Sequence, residues 1–287
     1  MNKTSTYTLS NQRAKLILDS PKVMGILNVT PDSFSDGGKF IGLDKAMFHA
    51  EQMIRYGAEL IDIGGESTRP GAAEVSLDEE LARTIPVIEA LRKRFDIWIS
   101  IDTSKAQVMT AASEAGADLI NDVRALQLPG SLQAAVNVNL PVSLMHRQGE
   151  PQTMQINPTY SHVTTEVVDF LNQQINVAVN AGIPHENILV DPGFGFGKSD
   201  SHNYQLLNEM EALHQLQCPI LIGLSRKRMI QYANNTFSHK EDHKNRLFGS
   251  IAGALIAAAK GAHILRVHDV KETVEALSVL KTMQSFS

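Results

Sequence analysis

The sequence predicts an α/β fold, a single TIM-type (β/α)₈ barrel in which eight parallel strands alternate with helices. Eight short apolar runs rich in Val, Ile and Leu recur along the 287 residues, and segments with helical periodicity lie between them. The runs lack polar alternation, which is typical of parallel strands buried on both faces. No G-x-G-x-x-G motif follows the first run, so a closed barrel is favoured over an open doubly wound sheet, which the alternation also fits.

The element order follows from the apolar runs and the helix signals between them. Ser76-Leu-Asp-Glu79 and Asp269-Val-Lys-Glu272 have the spacing of capping boxes, in which two side chains satisfy free backbone N–H groups at a helix start. We expect one domain over residues 1–287, with a core from about residue 22 to about residue 283, and an exposed loop at the polar insert from Gln231 to Arg246. The predicted strands are Val23–Val29, Leu60–Ile63, Ile97–Ile101, Leu119–Ile120, Val142–Met145, Ile188–Val190, Ile220–Leu224 and Ile264–Val267.

The composition excludes several classes of protein. Apolar residues make up 43% of the chain and charged residues 20%, as in soluble globular proteins, and the net charge of −5 argues against a nucleic-acid partner. The polar N-terminus lacks the apolar segment of a signal peptide, and the longest low-charge stretch, Gly249–Ala259, is too short to span a bilayer. The single cysteine, Cys218, is predicted to be a buried apolar side chain. We therefore expect a cytoplasmic protein without a membrane partner.

Polar residues stand where the apolar runs end, at the predicted carboxyl ends of the strands. In barrels of this type these ends converge on one mouth, which holds the active site. Any one of these residues is equally well explained as a helix N-cap or a loop residue, but that explanation does not account for the whole set. The set is Asn28, Asp62, Asp102, Asn121, Asp122, His146, Asp191, Ser225, Arg226, Lys227, Arg266 and His268.

Two carboxylates of this set directly follow strand-core residues. Asp102 and Asp191 are costly to desolvate there unless they meet donors, and a ligand with two adjacent N–H groups would satisfy one of them in a bidentate way. Asp62 and Asp122 are explained equally well by structural hydrogen bonds.

Three cationic residues follow the seventh and eighth strands, where many barrels bind phosphate. Lys227, Arg266 and His268 have a charge that suits a diphosphate, and the Arg-x-His spacing points both side chains the same way on a strand. Together with the carboxylates they predict a site for a small, flat anion.

Two glycine-rich loops, at residues 30–38 and 64–71, flank the predicted mouth. We favour a lid over plain linkers, because Phe34, Arg69 and Pro70 lie at the loop tips. The sequence contains no G-x-S-x-G elbow, Walker loop or H-E-x-x-H motif, so it gives no support for the hydrolytic chemistries of those motifs.

Six segments of the chain resemble the dihydropteroate synthase family, in the family's order from about Val23 to the C-terminus. The first two are highly specific. The segments are Gly25-Ile-Leu-Asn-Val-Thr-Pro-Asp-Ser-Phe-Ser-Asp-Gly-Gly38, Asp62-Ile-Gly-Gly-Glu-Ser-Thr-Arg-Pro-Gly71, Ser100-Ile-Asp-Thr103, Asp191-Pro-Gly-Phe-Gly-Phe-Gly-Lys198, Ser225-Arg-Lys227 and Arg266-Val-His-Asp269.

The resemblance implies a (β/α)₈ fold and a reaction of folate synthesis. In this reaction 4-aminobenzoate displaces diphosphate from (7,8-dihydropterin-6-yl)methyl diphosphate and gives 7,8-dihydropteroate. The resemblance also implies Mg²⁺ as cofactor and a homodimer, for which the small-residue segment Gly249–Ala259 is either a subunit contact or internal packing. The implied pterin-binding residues are Asp102, Asn121, Asp191 and Lys227, with Asp102, Asp191 and Lys227 catalytic; Asn28 places Mg²⁺, Arg266 and His268 hold the diphosphate, and Thr68, Arg69, Pro70, Phe34, Phe196 and Ser225 frame the aminobenzoate.

This chemistry agrees with the absence of a nucleophile motif, because the substrate amine is the attacking group and the enzyme supplies charge placement. Two features depart from the family pattern: Arg147 stands where we expect Met, and the insert from Gln231 to Arg246 is longer than expected. Two alternatives remain open. A methyltetrahydrofolate-binding methyltransferase domain shares the barrel and the pterin-holding residues but handles no diphosphate, and a catalytically inactive pterin-binding protein would show no turnover.

Overall fold

The computed structural model describes residues 6–29, 38–66, 75–149, 154–237 and 246–286, with side chains except at residues 38–41 and 234–237. Two strands pair as an antiparallel hairpin, and eight parallel strands form the main sheet within this part of the chain. The strands are β1 (Tyr7–Ser10), β2 (Lys15–Leu18), β3 (Lys22–Asn28), β4 (Leu60–Gly64), β5 (Trp98–Asp102), β6 (Leu119–Asp122), β7 (Val142–Met145), β8 (Ile188–Asp191), β9 (Leu221–Ile222) and β10 (Ile264–Val267). The helices are α1 (Gly38–Arg55), α2 (Leu77–Arg94), α3 (Ala106–Ala115), α4 (Ser131–Val138), α5 (Val163–Ala181), α6 (Asp200–Asn208), α7 (Arg228–Phe237), α8 (Leu247–Ala259) and α9 (Val270–Gln284).

The main sheet curls into a nearly closed barrel, which confirms the predicted fold class. Strands β3 to β8 are neighbours in chain order, and β10 lies between β3 and β9. The gap between β8 and β9 is crossed by a bridge from Val190 to Ile220. The predicted strand Ile220–Leu224 is regular only at Leu221–Ile222. Pro219, directly before it, has no N–H for a ladder and contributes only its carbonyl, which accepts from Val190.

The amino ends of the barrel strands are closed by an apolar layer. Every second residue of a strand points to the same side, so the inward residues of neighbouring strands form layers inside the barrel. The hairpin of β1 and β2 covers this layer with Leu9, Leu16 and Leu18, a feature that the sequence analysis did not predict. The layer consists of Met24, Leu60, Trp98, Leu119, Leu189, Leu221 and Ile264.

The helices pack on the outside of the sheet and bury the main apolar core. Ser76 caps α2 by accepting from the Glu79 N–H, which confirms one of the two bonds of the first predicted capping box; the Glu79 carboxylate binds Arg83 instead. The second predicted capping box is wrong, because the Asp269 carboxylate binds the Arg226 guanidinium instead of the start of α9. Cys218 is fully buried, as predicted.

The predicted exposed loop from Gln231 to Arg246 is also wrong in its first part, since α7 continues through Phe237. This helix is held to α6 by the Tyr204 hydroxyl, which donates to the Met229 carbonyl, and by the contact between the Tyr204 and Tyr232 rings.

Among the described residues, none of the helices combines the length and apolarity needed to cross a membrane.

Candidate active site

The carboxyl ends of the barrel strands carry the predicted site residues. Period-two alternation places them one and two layers above the apolar floor. The two predicted loops are covered only in part: Phe34, Thr68, Arg69 and Pro70 lie outside the described residues. Asn28 ends β3, Asp102 ends β5, Asn121 lies on β6, Asp191 ends β8, Phe196 lies in the loop after β8, Ser225 and Lys227 follow β9, Arg266 lies on β10, and His268 follows it.

A buried ion-pair cluster joins four strands across the mouth. The Arg266 guanidinium donates from Nε to Asp62 at 2.5 Å and from Nη2 to Asp102 at 2.7 Å. Asn121 Nδ2 also donates to the Asp62 carboxylate, at 3.3 Å. Asp62, which the sequence analysis could not assign, therefore orients both Arg266 and Asn121.

The environment of Asp102 makes it a proton-sensitive carboxylate. Burial raises the pKa of Asp102 to about 7, the positive charge of Arg266 opposes this shift, and the neighbouring Asp62 adds to it. The charge of this carboxylate thus changes close to neutral pH.

Asp191 and Lys227 form the opposite side of the mouth. Burial raises the pKa of Asp191, whereas Lys227 and the backbone N–H of Gly193 favour its ionised form; that N–H donates to Oδ1 at 2.7 Å. Burial lowers the pKa of Lys227 to about 8, and the charge of Asp191 opposes the shift. The Lys227 ammonium donates to the Phe194 carbonyl and lies 4.5 Å from the centre of the Phe196 ring. A cation, a carboxylate and an aromatic face are therefore adjacent, as a flat heteroaromatic ligand requires.

The turn after β9 presents Ser225 and Lys227 to the mouth. Arg226 between them has a left-handed backbone with φ of 58°, and its N–H donates to Ser250 Oγ at 2.9 Å. Its guanidinium binds Asp269 of the following loop. This ion pair could not be predicted from the sequence, because Arg226 and Asp269 are 43 residues apart and neither carries a local signal of pairing.

Beside this turn, Ser225 Oγ lies 3.1 Å from His268 Nδ1. The serine hydroxyl and the imidazole therefore form one polar edge of the mouth. This contact joins a residue assigned by resemblance to the aminobenzoate with one assigned to the diphosphate.

Asp122 has a structural position. Its carboxylate accepts from the Ser104 hydroxyl and from the backbone N–H groups of Arg124, at 2.8 Å, and Leu126, at 2.7 Å. These contacts hold the loop after β6, in which Ala125 and Leu126 both have positive φ. The question left open by the sequence is thereby answered in favour of structural hydrogen bonding.

The base of the loop after β4 is fixed, although its tip lies outside the described residues. Lys105 binds both Glu66 and the buried Glu80, and Arg83 donates to the Gly65 carbonyl at 2.7 Å. The loop therefore leaves the barrel from a rigid support at residue 66.

The described residues contain no group of three or more His, Cys, Asp or Glu side chains that could hold a metal ion. Gly64 nevertheless lies beside two side-chain oxygen atoms of the mouth. A Cβ atom there would lie 3.7 Å from both Asn28 Oδ1 and Asp102 Oδ2. Of these two, Asp102 Oδ2 accepts from Arg266, whereas Asn28 Oδ1 is a hard oxygen donor of the kind that Mg²⁺ takes together with water and a phosphate-bearing substrate.

Comparison with known proteins agrees with this geometry. The family described as "Pterin binding enzyme" matches residues 24–268. The dihydropteroate synthase of Escherichia coli strain K12 is 54% identical over 274 residues, covering 96% of this chain and 95% of the relative.

Two solved structures extend the comparison to ligand complexes. Yersinia pestis dihydropteroate synthase with a sulfonamide drug complex superposes with a TM-score of 0.90 at 54% identity, covering 97% of this chain and 99% of that one. The Xanthomonas albilineans enzyme with 4-aminobenzoic acid gives a TM-score of 0.90 at 48% identity, covering 98% and 99%. The chain therefore belongs to the dihydropteroate synthases, transferases within the pterin-binding enzyme family.

Proposed function

We propose that this chain condenses (7,8-dihydropterin-6-yl)methyl diphosphate with 4-aminobenzoate, forming 7,8-dihydropteroate and diphosphate in folate synthesis. One observation carries the proposal: a buried carboxylate, Asp191, lies near two cations, Lys227 and Arg266, which both favour its ionised form, and Lys227 lies over the Phe196 ring. This arrangement can bind a flat ring at one end and an anion at the other. Family membership and the aminobenzoate complex of a relative support the same reaction.

The pterin end consists of Asp102, Asn121, Asp191 and Lys227. The Asp191 carboxylate accepts from the adjacent amino and ring N–H groups of the pterin, in the bidentate manner that Arg presents to a carboxylate. Asn121, oriented by Asp62, and Lys227 supply donors and acceptors at the ring edge. A buried carboxylate loses hydrogen bonds to water, and the N–H groups of the substrate replace these bonds.

The diphosphate end consists of Arg266 and His268, with Asn28 nearby. A guanidinium has five N–H donors, and two of those of Arg266 bind Asp62 and Asp102, so the others remain for diphosphate oxygens. We propose that Asn28 would help to hold Mg²⁺ here, and the bound ion would supply positive charge to the leaving diphosphate. The contacts to Asp62 and Asp102 hold Arg266 before the substrate arrives.

The reaction needs no nucleophilic side chain. The C–O bond between the pterin methylene and the diphosphate breaks, the amine nitrogen of 4-aminobenzoate forms the new C–N bond, and that nitrogen releases one proton to solvent or the departing diphosphate. Asp102 in its ionised form stabilises positive charge that develops on the dihydropterin methylene. Phe196 and Ser225, with Phe34, Thr68, Arg69 and Pro70 on the two loops, frame the aminobenzoate and exclude water from the cation.

The methyltransferase alternative needs no diphosphate site. The two functions therefore differ in whether Arg266 must bind a diphosphate. We expect wild-type protein to release diphosphate only when both substrates are present. In calorimetry, Asp191→Asn should abolish productive binding of the pterin substrate because an acceptor becomes a donor facing N–H groups. Arg266→Ala should weaken binding of the pterin diphosphate while sparing a pterin without the diphosphate. Equal losses for both ligands would argue against a diphosphate role for Arg266.

The role of Asn28 in placing Mg²⁺ is tested by titrating the metal. Asn28→Ala should raise the Mg²⁺ concentration needed for half-maximal activity, since it removes one of the oxygen donors beside Gly64. Chelator should abolish wild-type activity, and added Mg²⁺ should restore it. An unchanged Mg²⁺ dependence in the variant would remove Asn28 from the metal site.

We also propose one cytoplasmic barrel domain that forms a homodimer through α8 and α9. These helices pack against each other, and Phe248 and Val279 on them are 78% and 71% exposed. Exposed apolar faces of this kind commonly mark subunit contacts. Light scattering should give twice the 31.4 kDa chain mass. Phe248→Glu should shift it toward the monomer, whereas Phe48→Glu, at an exposed phenylalanine on α1, should not; a monomeric wild type would contradict the dimer.

A further inference from the structure

The loop after β8 contains a buried lysine that the proposed reaction leaves without a task. Lys198 ends the Asp191-Pro-Gly-Phe-Gly-Phe-Gly segment and is 1% exposed. Its Nζ lies 2.8 Å from His146 Nδ1, 2.9 Å from the Gly193 carbonyl oxygen and 3.2 Å from the Phe196 carbonyl oxygen. Burial lowers the pKa of Lys198 well below its usual value, and the charge of Asp191 opposes this shift. In the ammonium form the side chain has three N–H donors, and these three acceptors can take all of them.

His146 is suited to accept one of these bonds. Burial lowers the pKa of His146 far below its usual value, and the charge of Lys198 lowers it further, so the ring is neutral. A neutral imidazole with its proton on Nε2 accepts at Nδ1. The ring packs edge-on against Phe170, which fixes its orientation. His146 thus presents an oriented acceptor to Lys198.

The loop after β8 contains three glycines, which have no side chains that could fix its conformation. Gly193, Gly195 and Gly197 all have positive φ, so each is confined to a conformation that other residues rarely adopt. A Cβ atom on Gly193 would lie 1.8 Å from the His146 carbonyl oxygen, so the loop packs directly on the backbone after β7. Within the loop, the Phe196 N–H donates to the Gly193 carbonyl at 3.1 Å, and side-chain donors add further bonds to its carbonyl groups.

Five successive carbonyl groups of the loop each accept from a side chain. Lys198 binds two of them, and it is the donor that binds at both ends of the 193–196 span. Because of this double attachment, loss of the Lys198 ammonium would release the loop at two points. The remaining carbonyls are those of Phe194, bound by Lys227; Gly195, bound by Gln155; and Gly197, bound by the Tyr160 hydroxyl.

The two loop groups at the mouth lie directly beside the carbonyls that Lys198 binds. The N–H of Gly193 orients the Asp191 carboxylate, and the Phe196 ring lies against the Lys227 ammonium. Both positions depend on the path of the backbone between residues 193 and 196. A lysine that fixes this path therefore determines the positions of both the Asp191 carboxylate and the Phe196 ring.

We propose that Lys198 is a positioning residue, which through its bonds to His146, Gly193 and Phe196 holds Asp191 and the Phe196 ring in the geometry that binds the two substrates. This inference rests on the proposed function, because it concerns the same pocket. It assigns Lys198 no contact with the reacting atoms. Its loss should therefore act on substrate binding more than on the chemical step.

The first test compares Lys198→Met with Lys260→Met. Lys260 also donates to a carbonyl, that of Asn208 at 2.9 Å, and to the carboxylate of Glu211, but it lies at the far end of α8. We expect KM for both substrates to rise about tenfold or more in Lys198→Met, since buried groups are left unpaired. We expect kcat to fall less, and Lys260→Met to keep both constants. Unchanged KM values in folded Lys198→Met would overturn the proposal.

A second pair of variants keeps the proposal testable if Lys198→Met does not fold. His146→Leu removes one acceptor, whereas His146→Asn keeps an oxygen near the position of Nδ1. We expect the leucine variant to raise KM and the asparagine variant to restore it toward the wild-type value. Equal KM values in the two variants would overturn the role of Lys198. A wild type without diphosphate release and without pterin binding would instead overturn the proposed function.

Discussion

The buried carboxylate of Asp62 offers a sharp test of how the mouth is organised. The substitution Asp62→Asn preserves its shape but removes the charge that Arg266 faces at 2.5 Å. Arg266 Nε and Asn121 Nδ2 both donate to Asp62 Oδ2, so the amide oxygen in that place becomes a neutral acceptor for both, while its NH₂ replaces Oδ1, which lies 3.5 Å from Asn121 Nδ2. The variant thus disturbs the residues that present Arg266 and Asn121 to the substrate.

The expected cost follows from the burial of this pair. Asp62 is fully buried, and breaking a buried ion pair costs about 3–5 kcal/mol. Asp102 still binds Arg266 at 2.7 Å, so we expect the lower end, about 3 kcal/mol. A chain of 287 residues unfolds with an entropy of about 0.6 kcal/mol/K, so Tm should fall by about 5 °C.

A kinetic effect should accompany this loss of stability. Asp62 is one of the charges that raise the pKa of Asp102, so its neutralisation should move the acid limb of kcat/KM to lower pH. Diphosphate release across pH, measured below the unfolding transition, reports this shift. KM for the pterin diphosphate should rise as well.

Asp118 provides the matched control at the opposite end of the barrel. It is 1% exposed and accepts from Arg13 Nε at 2.8 Å, from Arg92 and from the Ile99 N–H at 3.0 Å. Asp118→Asn should lower Tm by a similar amount and leave kcat/KM unchanged. The reasoning fails if the Asp62 variant keeps a wild-type pH profile and KM, or if the Asp118 variant shows the same kinetic changes.

Two further predictions follow from the site. The pH profile of kcat/KM should be bell-shaped, rising through about pH 7 as Asp102 ionises and falling above about pH 8 as Lys227 loses its proton. Asp102→Asn should remove the acid limb. A flat profile from pH 6 to 9 would contradict these assignments. Gly193→Ala should prevent folding or lower the free energy of unfolding, measured with denaturant, by well over 3 kcal/mol, because its Cβ would meet the His146 carbonyl oxygen. The control Gly182→Ala, with 3.8 Å of clearance and a φ of 113°, should lower it by only about 1–3 kcal/mol. Equal losses in the two variants would show that the clash is relieved.

The barrel could be predicted because its strands are continuous apolar runs whose carboxyl ends carry polar residues. Most predicted strands match the observed ones within one or two residues, since burial on both faces leaves a strong local pattern. The hairpin of β1 and β2 could not be predicted from the sequence, because each of its strands has only four residues and lies in a polar segment. Leu9 and Leu16 gain their partners only when the barrel floor exists.

The convergence of strand-end residues on one mouth could be predicted, whereas their contacts with one another could not. Strand-end positions alone bring Asp102, Asp191 and Arg266 to one mouth, because parallel strands end on the same side. The pairing of Arg266 with Asp62 spans 204 residues, and no local pattern indicates which carboxylate an arginine will meet. The role of Lys198 depends likewise on where the loop carbonyls turn.

Product analysis tests the proposed condensation most directly. Protein incubated with (7,8-dihydropterin-6-yl)methyl diphosphate, 4-aminobenzoate and Mg²⁺ should form 7,8-dihydropteroate and diphosphate in equal amounts, as followed by mass spectrometry and a diphosphate assay. Omission of either organic substrate should abolish both products. Diphosphate release without 4-aminobenzoate, or no dihydropteroate with both substrates present, would contradict the account.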